Sequence, residues 1–255
     1  MVRPYVSANG SITLVPGVHY SASHCRRVRR AIREVEPDLV AVELDVRRFE
    51  YFDRDIDPSF ADLARAVTPI PAVIYTAFRT IQRTVGRLYG LDLETTDMAV
   101  AIETAAELEI DVALVDDPLG KTLSAVASRI GPATIPRVVI RAARPDPGRR
   151  VDAFAPLSTP LEEIEHGDDV QPAIDILRRV VPELAEVLID RRDRAMAERL
   201  HALRLEGYDV VAVVGVGHHN GVRRTLQSLE GREDLRSVTV PIRSPSGSSR
   251  RIPID

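Results

Sequence analysis

The feature that most constrains the fold is an apolar, β-branched run at residues 208–214 that stops abruptly at Gly215 and Gly217. Such a run is typical of a buried strand, and the glycines after it allow a tight turn and a close approach to a ligand. The first imidazole after the turn belongs to His218. Because open α/β sheets bind ligands beyond the carboxyl ends of their strands, this stretch predicts a functional site.

A similar unit occurs near the N-terminus, where the run from Ile12 to Pro16 is followed by Gly17 and His19. The chain therefore contains an approximate duplication of a strand–Gly–His unit. If both strands belong to one sheet and run in parallel, their carboxyl ends meet at one edge. The two histidines would then contribute to a single site built from both halves of the chain.

Two further apolar runs end on acidic residues. The first ends on Glu43 and Asp45, and the second on Asp116 and Asp117. Amphipathic helical patterns alternate with these runs, which favours an α/β fold with a mixed, largely parallel sheet flanked by helices. Acidic side chains at the ends of parallel strands would lie at the same edge of the sheet as the histidines.

The length fits a single domain over residues 1–255, with helical insertions at about 55–92 and 132–185. Near the C-terminus, Val238–Val240 predicts an edge strand, and Ser244–Arg251 has the composition of a flexible tail. An exposed edge permits pairing with a second copy of the chain. A homodimer is therefore one expectation.

The composition restricts the partners and the compartment. The net charge is −4 with acidic and basic residues mixed along the chain, so no electrostatic pattern favours nucleic acid. No apolar stretch reaches the roughly 18 residues that a membrane span needs, and residues 1–11 lack the apolar core of a signal peptide. The single cysteine, Cys25, excludes an internal disulfide and fits a reducing compartment. We therefore expect a soluble cytoplasmic protein.

Two neutral imidazoles and a carboxylate form a ligand set for a divalent transition metal, and three protein ligands leave a position open for water. His19, Glu43 and His218 are the candidates. A metal there would lower the pKa of water and polarise a carbonyl. Asp45 or Asp116 could act as general base or orient a ligand histidine. The alternative is structural, because a histidine after a strand can instead cap a helix or bond to a loop.

Four segments resemble the TraB/PrgY/GumN family in the order of that family: residues 14–21, 37–45, 188–197 and 211–218. Residues 97–116 resemble its middle section, so the likeness spans nearly the whole chain. The resemblance implies an EreA/ChaN-like fold and a relationship to the Tiki metallopeptidases. It also implies a manganese- or cobalt-dependent site, with zinc as an alternative.

The hallmark of that family site is a pair of Gly-x-x-His motifs and a glutamate. By resemblance the second motif runs from Gly215 to His218, and the glutamate is Glu43. The first motif departs from the pattern, since Pro16 stands where the family has glycine, although His19 is retained. The implied metal ligands are therefore the same three residues that the strand ends suggest.

The match over residues 188–197 also raises Arg192 or Arg194 as a holder of an anion or a carbonyl. The leading hypothesis is a metal-dependent hydrolase, peptidase-like, that acts on a peptide or a small amide. The alternative is a non-catalytic protein that sequesters a peptide signal, which the altered motif at Pro16 favours. A haem or metal carrier is a third hypothesis.

Overall fold

The computed structural model describes residues 9–18, 21–53, 96–129, 134, 137, 140, 164–231, 238–244 and 249–253. His19 lies outside the described residues, as does the predicted insertion at 55–92. The insertion at 132–185 falls partly outside them. Two expectations therefore remain predictions. They are the single-domain assignment and the role of His19, both as a metal ligand and as the histidine of the first strand–Gly–His unit.

The described chain alternates between strands and helices, as the apolar runs predict. The strands are β1 Ile12–Gly17, β2 Leu39–Val42, β3 Asp111–Leu114, β4 Val210–Gly215, β5 Thr239–Arg243 and β6 Ser249–Pro253. The helices are α1 Ala22–Val35, α2 Val46–Asp53, α3 Asp97–Glu107, α4 Leu119–Arg129, α5 Gly167–Val180, α6 Pro182–Ala185, α7 Arg191–Leu205 and α8 Val216–Leu229. A π-helical turn, Glu186–Asp190, joins α6 to α7.

Among the described residues, the six strands form one sheet in the order β1-β4-β2-β3-β5-β6. Strands β1, β4, β2 and β3 are mutually parallel, whereas β5 and β6 are antiparallel additions at the β3 side. This arrangement confirms the predicted α/β class, a mixed and largely parallel sheet flanked by helices. The more detailed EreA/ChaN-like assignment stays a prediction.

Strand β4 lies at the centre of the core because all six of its residues are buried. Successive side chains alternate between the two faces of the sheet. Val211 and Val213 pack in a cluster with α1 and α3, while Ala212 and Val214 pack in a second cluster with α7 and α8. Burial on both faces explains why this strand reads as a continuous apolar run.

The register brings the carboxyl ends of the parallel strands side by side. Gly17 of β1 is paired with Gly215 of β4, and Val42 of β2 is paired with both Val213 of β4 and Leu114 of β3. The residues that follow these positions therefore leave the sheet at one edge. This edge is where the sequence predicts a site.

The prediction of a free edge strand at Val238–Val240 is wrong. Strand β5 is paired with β3 on one side and with β6 on the other. The predicted flexible tail at Ser244–Arg251 is wrong in part, because Ser249–Pro253 forms β6. The sequence SRRIP lacks the alternation that would mark a strand, so its structure depends on pairing with β5. The homodimer remains a prediction, but the strand proposed to form its interface is already paired on both sides.

No helix among the described residues combines the length and the apolar character that crossing a membrane requires.

Candidate functional site

The imidazole of His218 lies in the first turn of α8, directly after β4, and is buried. The helix begins at Val216, because β4 passes into it through Gly215 without a loop. His218 therefore has a fixed backbone rather than a loop position. A rigid element holds a functional side chain more precisely than a loop does.

Two hydrogen bonds fix the tautomer of His218. Its Nδ1 lies 2.6 Å from Oδ1 of Asp193, and its Nε2 lies 3.0 Å from Nη1 of Arg192. A guanidinium has donors but no acceptor, so Nε2 must accept through its lone pair. Nδ1 therefore carries the proton and donates it to Asp193. This carboxylate–imidazole arrangement is the one that orients histidine ligands in metal sites.

Glu43 reaches the same place from the end of β2. Its Oε2 accepts the backbone N–H of Gly215 at 2.7 Å, and its Oε1 lies 3.4 Å from Nε2 of His218. A Cβ on Gly215 would lie only 3.0 Å from Oε2 of Glu43. The glycine is therefore needed for the close approach of the carboxylate.

Arg192 joins these residues to Asp116. Its Nε donates to Oδ1 of Asp116 at 3.0 Å, and its Nη2 donates to Oδ2 of Asp116 at 2.6 Å and also to Oε1 of Glu43. Burial alone would lower the pKa of Arg192, but the adjacent carboxylates outweigh burial and raise the pKa above its ordinary value. Arg192 therefore keeps its positive charge inside the cluster.

Asp116 is held between two guanidinium groups, those of Arg192 and Arg48. Burial alone would raise the pKa of Asp116, but the two positive charges outweigh it and hold the pKa well below its ordinary value. A carboxylate with such a low pKa is a weak proton acceptor near neutral pH. Its geometry and charge suit it to holding Arg192 in place.

Asp45 connects two helices. Its Oδ1 accepts the backbone N–H of Arg48 at 2.9 Å in the first turn of α2, and its Oδ2 accepts the backbone N–H of Leu119 at the start of α4. Its Oδ2 also accepts Nε of Arg48 at 3.3 Å. Asp45 is thus a helix cap and belongs to the cluster only through Arg48.

Asp193 is not among the predicted site residues, because a charged run such as 191–194 is typical of a solvated helix face. Asp193 is buried on α7, and burial raises its pKa although the bond to His218 opposes the shift. A usable signal was present: Asp193 precedes Met196, Ala197 and Leu200 at helical spacing, and all three are fully buried. An acid on the apolar face of a helix requires a buried partner. Arg48 was also missed, and its segment offers no comparable signal.

The structure brings together four of the predicted site residues by direct contact: Glu43, Asp116, Arg192 and His218. We call these four residues and Asp193 the strand-end cluster. Arg194 instead pairs with Glu186 at 2.5 Å, with half of its side chain exposed. The catalytic and ligand roles assigned from the sequence remain predictions for all of these residues.

The sequence of this region matches known proteins. Residues 157–233 match the family model described as the TraB/PrgY/gumN family. An uncharacterized protein of Methanocaldococcus jannaschii is 28% identical over 235 residues, which cover 88% of this chain and 55% of the relative. The chain is therefore similar to the TraB/PrgY/gumN family over residues 157–233. The chain spans about half the length of that relative.

The matched segment contains three of the five residues of the strand-end cluster. Arg192, Asp193 and His218 lie within residues 157–233, whereas Glu43 and Asp116 come from earlier in the chain. The cluster is therefore assembled from the family segment and from two strand ends that the family model does not reach.

Replacing Gly221 with alanine tests how tightly the cluster is packed. A Cβ at Gly221 would lie 1.7 Å from Oδ2 of Asp193, whereas a Cβ at Gly217 of the same helix would meet no atom within 4 Å. We expect Gly221→Ala to lower the free energy of unfolding by about 1–3 kcal/mol through overpacking. We expect Gly217→Ala to leave it unchanged or to raise it by up to about 1 kcal/mol. Urea unfolding measures both, and equal effects would contradict this packing.

Replacing Asp116 with asparagine tests the charge of the cluster. The pKa of Asp116 is lowered on folding, so its ionised form stabilises the protein above its ordinary pKa of 3.8, and this contribution is lost as the pH falls through the lower folded value. At pH 7 we expect Asp116→Asn to cost about 3 kcal/mol or more, because the variant breaks a buried ion pair. The difference between the free energies of unfolding of wild type and variant should become progressively smaller once the pH falls below 3.8.

Denaturant unfolding of both proteins at several pH values between 7 and 3 checks this expectation. Asp175→Asn is the control, since Asp175 lies on the exposed side of α5. A difference in the free energy of unfolding that stays constant over the whole pH range would contradict the role of Asp116 as a buried anion.

Proposed function

We propose that this protein is a metal-dependent hydrolase that acts on a peptide or a small amide. The observation that carries the proposal is the arrangement of His218 between Asp193 and Glu43. Nε2 of His218, the ring nitrogen that carries the lone pair, lies 3.4 Å from Oε1 of Glu43. Two ligands about 2.1 Å from a tetrahedrally coordinated cation are about 3.4 Å apart, so these atoms fit a shared metal ion.

The charges of the cluster also support a cation. Four carboxylates, those of Glu43, Asp45, Asp116 and Asp193, face two guanidinium groups, those of Arg48 and Arg192, among the described residues. When all four carboxylates are ionised, two negative charges are left over. A divalent cation would balance this excess of formal negative charge.

The set of ligands is incomplete without His19. Within the part of the chain that the structure describes, no group of three or more His, Cys, Asp or Glu is arranged to hold a metal ion. His218 and Glu43 would hold the cation together with His19, whose position is outside the described residues. When bound, such a cation supplies the acidity that lets water act as a nucleophile near neutral pH.

The residues of the chain have separate roles in this proposal. Asp193 keeps His218 in the tautomer that presents a lone pair at Nε2. Asp116 holds the guanidinium of Arg192 beside Glu43, where its positive charge favours negative charge that develops on a substrate oxygen. The low pKa of Asp116 and the capping bonds of Asp45 suit both residues to support rather than to proton transfer.

A second candidate is peptide binding without catalysis. Arg192 contacts both proposed ligand atoms, Nε2 of His218 and Oε1 of Glu43. A guanidinium at this position neutralises Glu43 without any metal. This contact favours a non-catalytic binding protein, and the experiment below separates the two candidates.

Replacing His218 with alanine tests the proposal, with His219→Ala as the matched control from the next position of the chain. The proteins are stripped with a chelator, dialysed against Mn²⁺, Co²⁺ or Zn²⁺, and assayed by elemental analysis and by mass spectrometry of a peptide mixture. We expect the wild type and His219→Ala to retain metal and to cleave peptides. We expect His218→Ala to lose both properties, because it removes a ligand.

Two outcomes would overturn the enzyme proposal. Peptide cleavage that persists in chelator-treated His218→Ala would exclude the metal mechanism. A wild-type protein that binds peptides without cleaving them, with or without metal, would support the non-catalytic candidate.

Replacing Asp193 with alanine tests the orientation of the ligand histidine. Loss of a carboxylate that positions a metal-bound histidine typically lowers metal affinity by about 10–100-fold. We expect a loss of this size for Asp193→Ala in calorimetric titrations with Zn²⁺. The control is Asp190→Ala, because Asp190 lies in the same stretch but pairs with Arg178. Equal metal affinity in the two variants would contradict the role of Asp193.

A further inference from the structure

The guanidinium of Arg192 has no unused hydrogen. Its Nε and Nη2 donate to Asp116, and Nη2 also donates to Glu43. Its Nη1 donates to the carbonyl of Leu188 at 3.3 Å and to Nε2 of His218 at 3.0 Å. These contacts account for all five N–H groups of a guanidinium. Arg192 therefore holds no other group while these bonds persist.

We infer that Arg192 is a gate that selects which cation the strand-end cluster accepts. A cation reaches the lone pair of His218 only by displacing Nη1 of Arg192, so the site admits cations that bind imidazole strongly and rejects those that do not. The inference rests on the proposed function, because it assumes that His218 and Glu43 hold a metal ion.

At His218, Arg192 and a cation exclude each other, whereas at Glu43 both can bind. An imidazole nitrogen has a single lone pair, so Nε2 cannot accept the N–H of Arg192 and bind a cation at the same time. A carboxylate oxygen has two lone pairs, so Oε1 of Glu43 can keep its bond to Nη2. The competition between Arg192 and a cation is thus decided at His218.

The displaced guanidinium keeps an anchor. Asp116 binds it through both Nε and Nη2, and Arg48 holds Asp116 from its other side. Nη1 also donates to the carbonyl of Leu188, which lies in the π-helical turn before α7. Metal binding therefore requires the loss of one N–H···N bond and a short movement of Arg192, with no rearrangement of the helices.

The gate separates two classes of divalent cation. Mg²⁺ and Ca²⁺ prefer oxygen ligands, and the carboxylates of Glu43 and Asp116 alone would attract them. Neither cation gains much from imidazole, so neither compensates for the loss of the Arg192–His218 bond. Co²⁺ and Zn²⁺ bind imidazole nitrogen well and do compensate for it, whereas Mn²⁺, which also prefers oxygen ligands, compensates least of the three. Arg192 thereby converts a site rich in carboxylates into one that is selective for transition metals.

Replacing Arg192 with glutamine tests the gate. The chelator-treated full chain is titrated calorimetrically with Mn²⁺, Zn²⁺, Mg²⁺ and Ca²⁺. We expect Arg192→Gln to bind Mn²⁺ and Zn²⁺ about tenfold more tightly or better, because the competing charged hydrogen bond is gone. We also expect it to gain measurable binding of Mg²⁺ and Ca²⁺, which the wild type lacks. The metal-free variant should unfold at a lower temperature than the metal-free wild type.

Arg191→Gln is the matched control, because Arg191 is the preceding residue and pairs with Asp117 instead. This variant should keep the cation preference of the wild type. If Arg192→Gln binds transition metals no more tightly than the wild type and gains no Mg²⁺, the gate is overturned while the metal site stands. If neither protein binds any of the four cations, the proposed function fails together with the gate.

A crystal structure of the wild type with Zn²⁺ provides a test that does not depend on the variant folding. We expect zinc on Nε2 of His218, with Nη1 of Arg192 no longer within hydrogen-bond distance of that atom and with Arg192 still bound to Asp116. Zinc bound elsewhere, with the Arg192–His218 bond intact, would overturn the inference.

Discussion

The strand-end cluster depends on the guanidinium of Arg192. Glu43, Asp116 and His218 come from the ends of three neighbouring strands, and Arg192 bonds to all three from α7. Buried carboxylates without a positive partner would be strongly unfavourable, so the fold requires a cation at this position. Arg192 supplies that cation within the chain and connects three strand ends to one helix.

The packing of these buried carboxylates explains the positions of the glycines better than turn formation does. Gly215 has an ordinary extended conformation, with φ −54° and ψ 139°, which any residue can adopt. A Cβ at Gly215 would instead meet the carboxylate of Glu43. In the same way, a Cβ at Gly17 would meet Asp97 and a Cβ at Gly221 would meet Asp193. The three glycines make room for three buried acids at one end of the sheet. They are thus a consequence of carboxylate packing.

The family match and the proposed site chemistry do not cover the same residues. The matched family segment, residues 157–233, supplies Arg192, Asp193 and His218. Two of the three carboxylates of the cluster, those of Glu43 and Asp116, lie outside it. The proposed metal chemistry therefore depends on how the earlier strands dock against the segment. A protein with the family segment and different acids at these strand ends would have a site of different charge.

The sequence by itself determined the α/β class, the order of strands and helices in most of the described chain, and the placement of Glu43, Asp116 and His218 at one edge of the sheet. These features follow from local patterns, since a buried parallel strand has a continuous apolar run and a polar residue after it marks its end. The failures at β5 and β6 have a related cause, because a short strand with weak alternation is defined by its pairing partner.

Only the tertiary structure decided what these side chains do to one another. Arg192 and Glu43 are 149 positions apart, and no local pattern records that they meet. From the sequence, the run 191–194 looks like a solvated helix face, yet Arg192 and Asp193 point into the cluster while Arg194 points to Glu186 at the surface. The tautomer of His218 and the low pKa of Asp116 arise from these long-range contacts, because hydrogen bonds and charges act through space rather than along the chain.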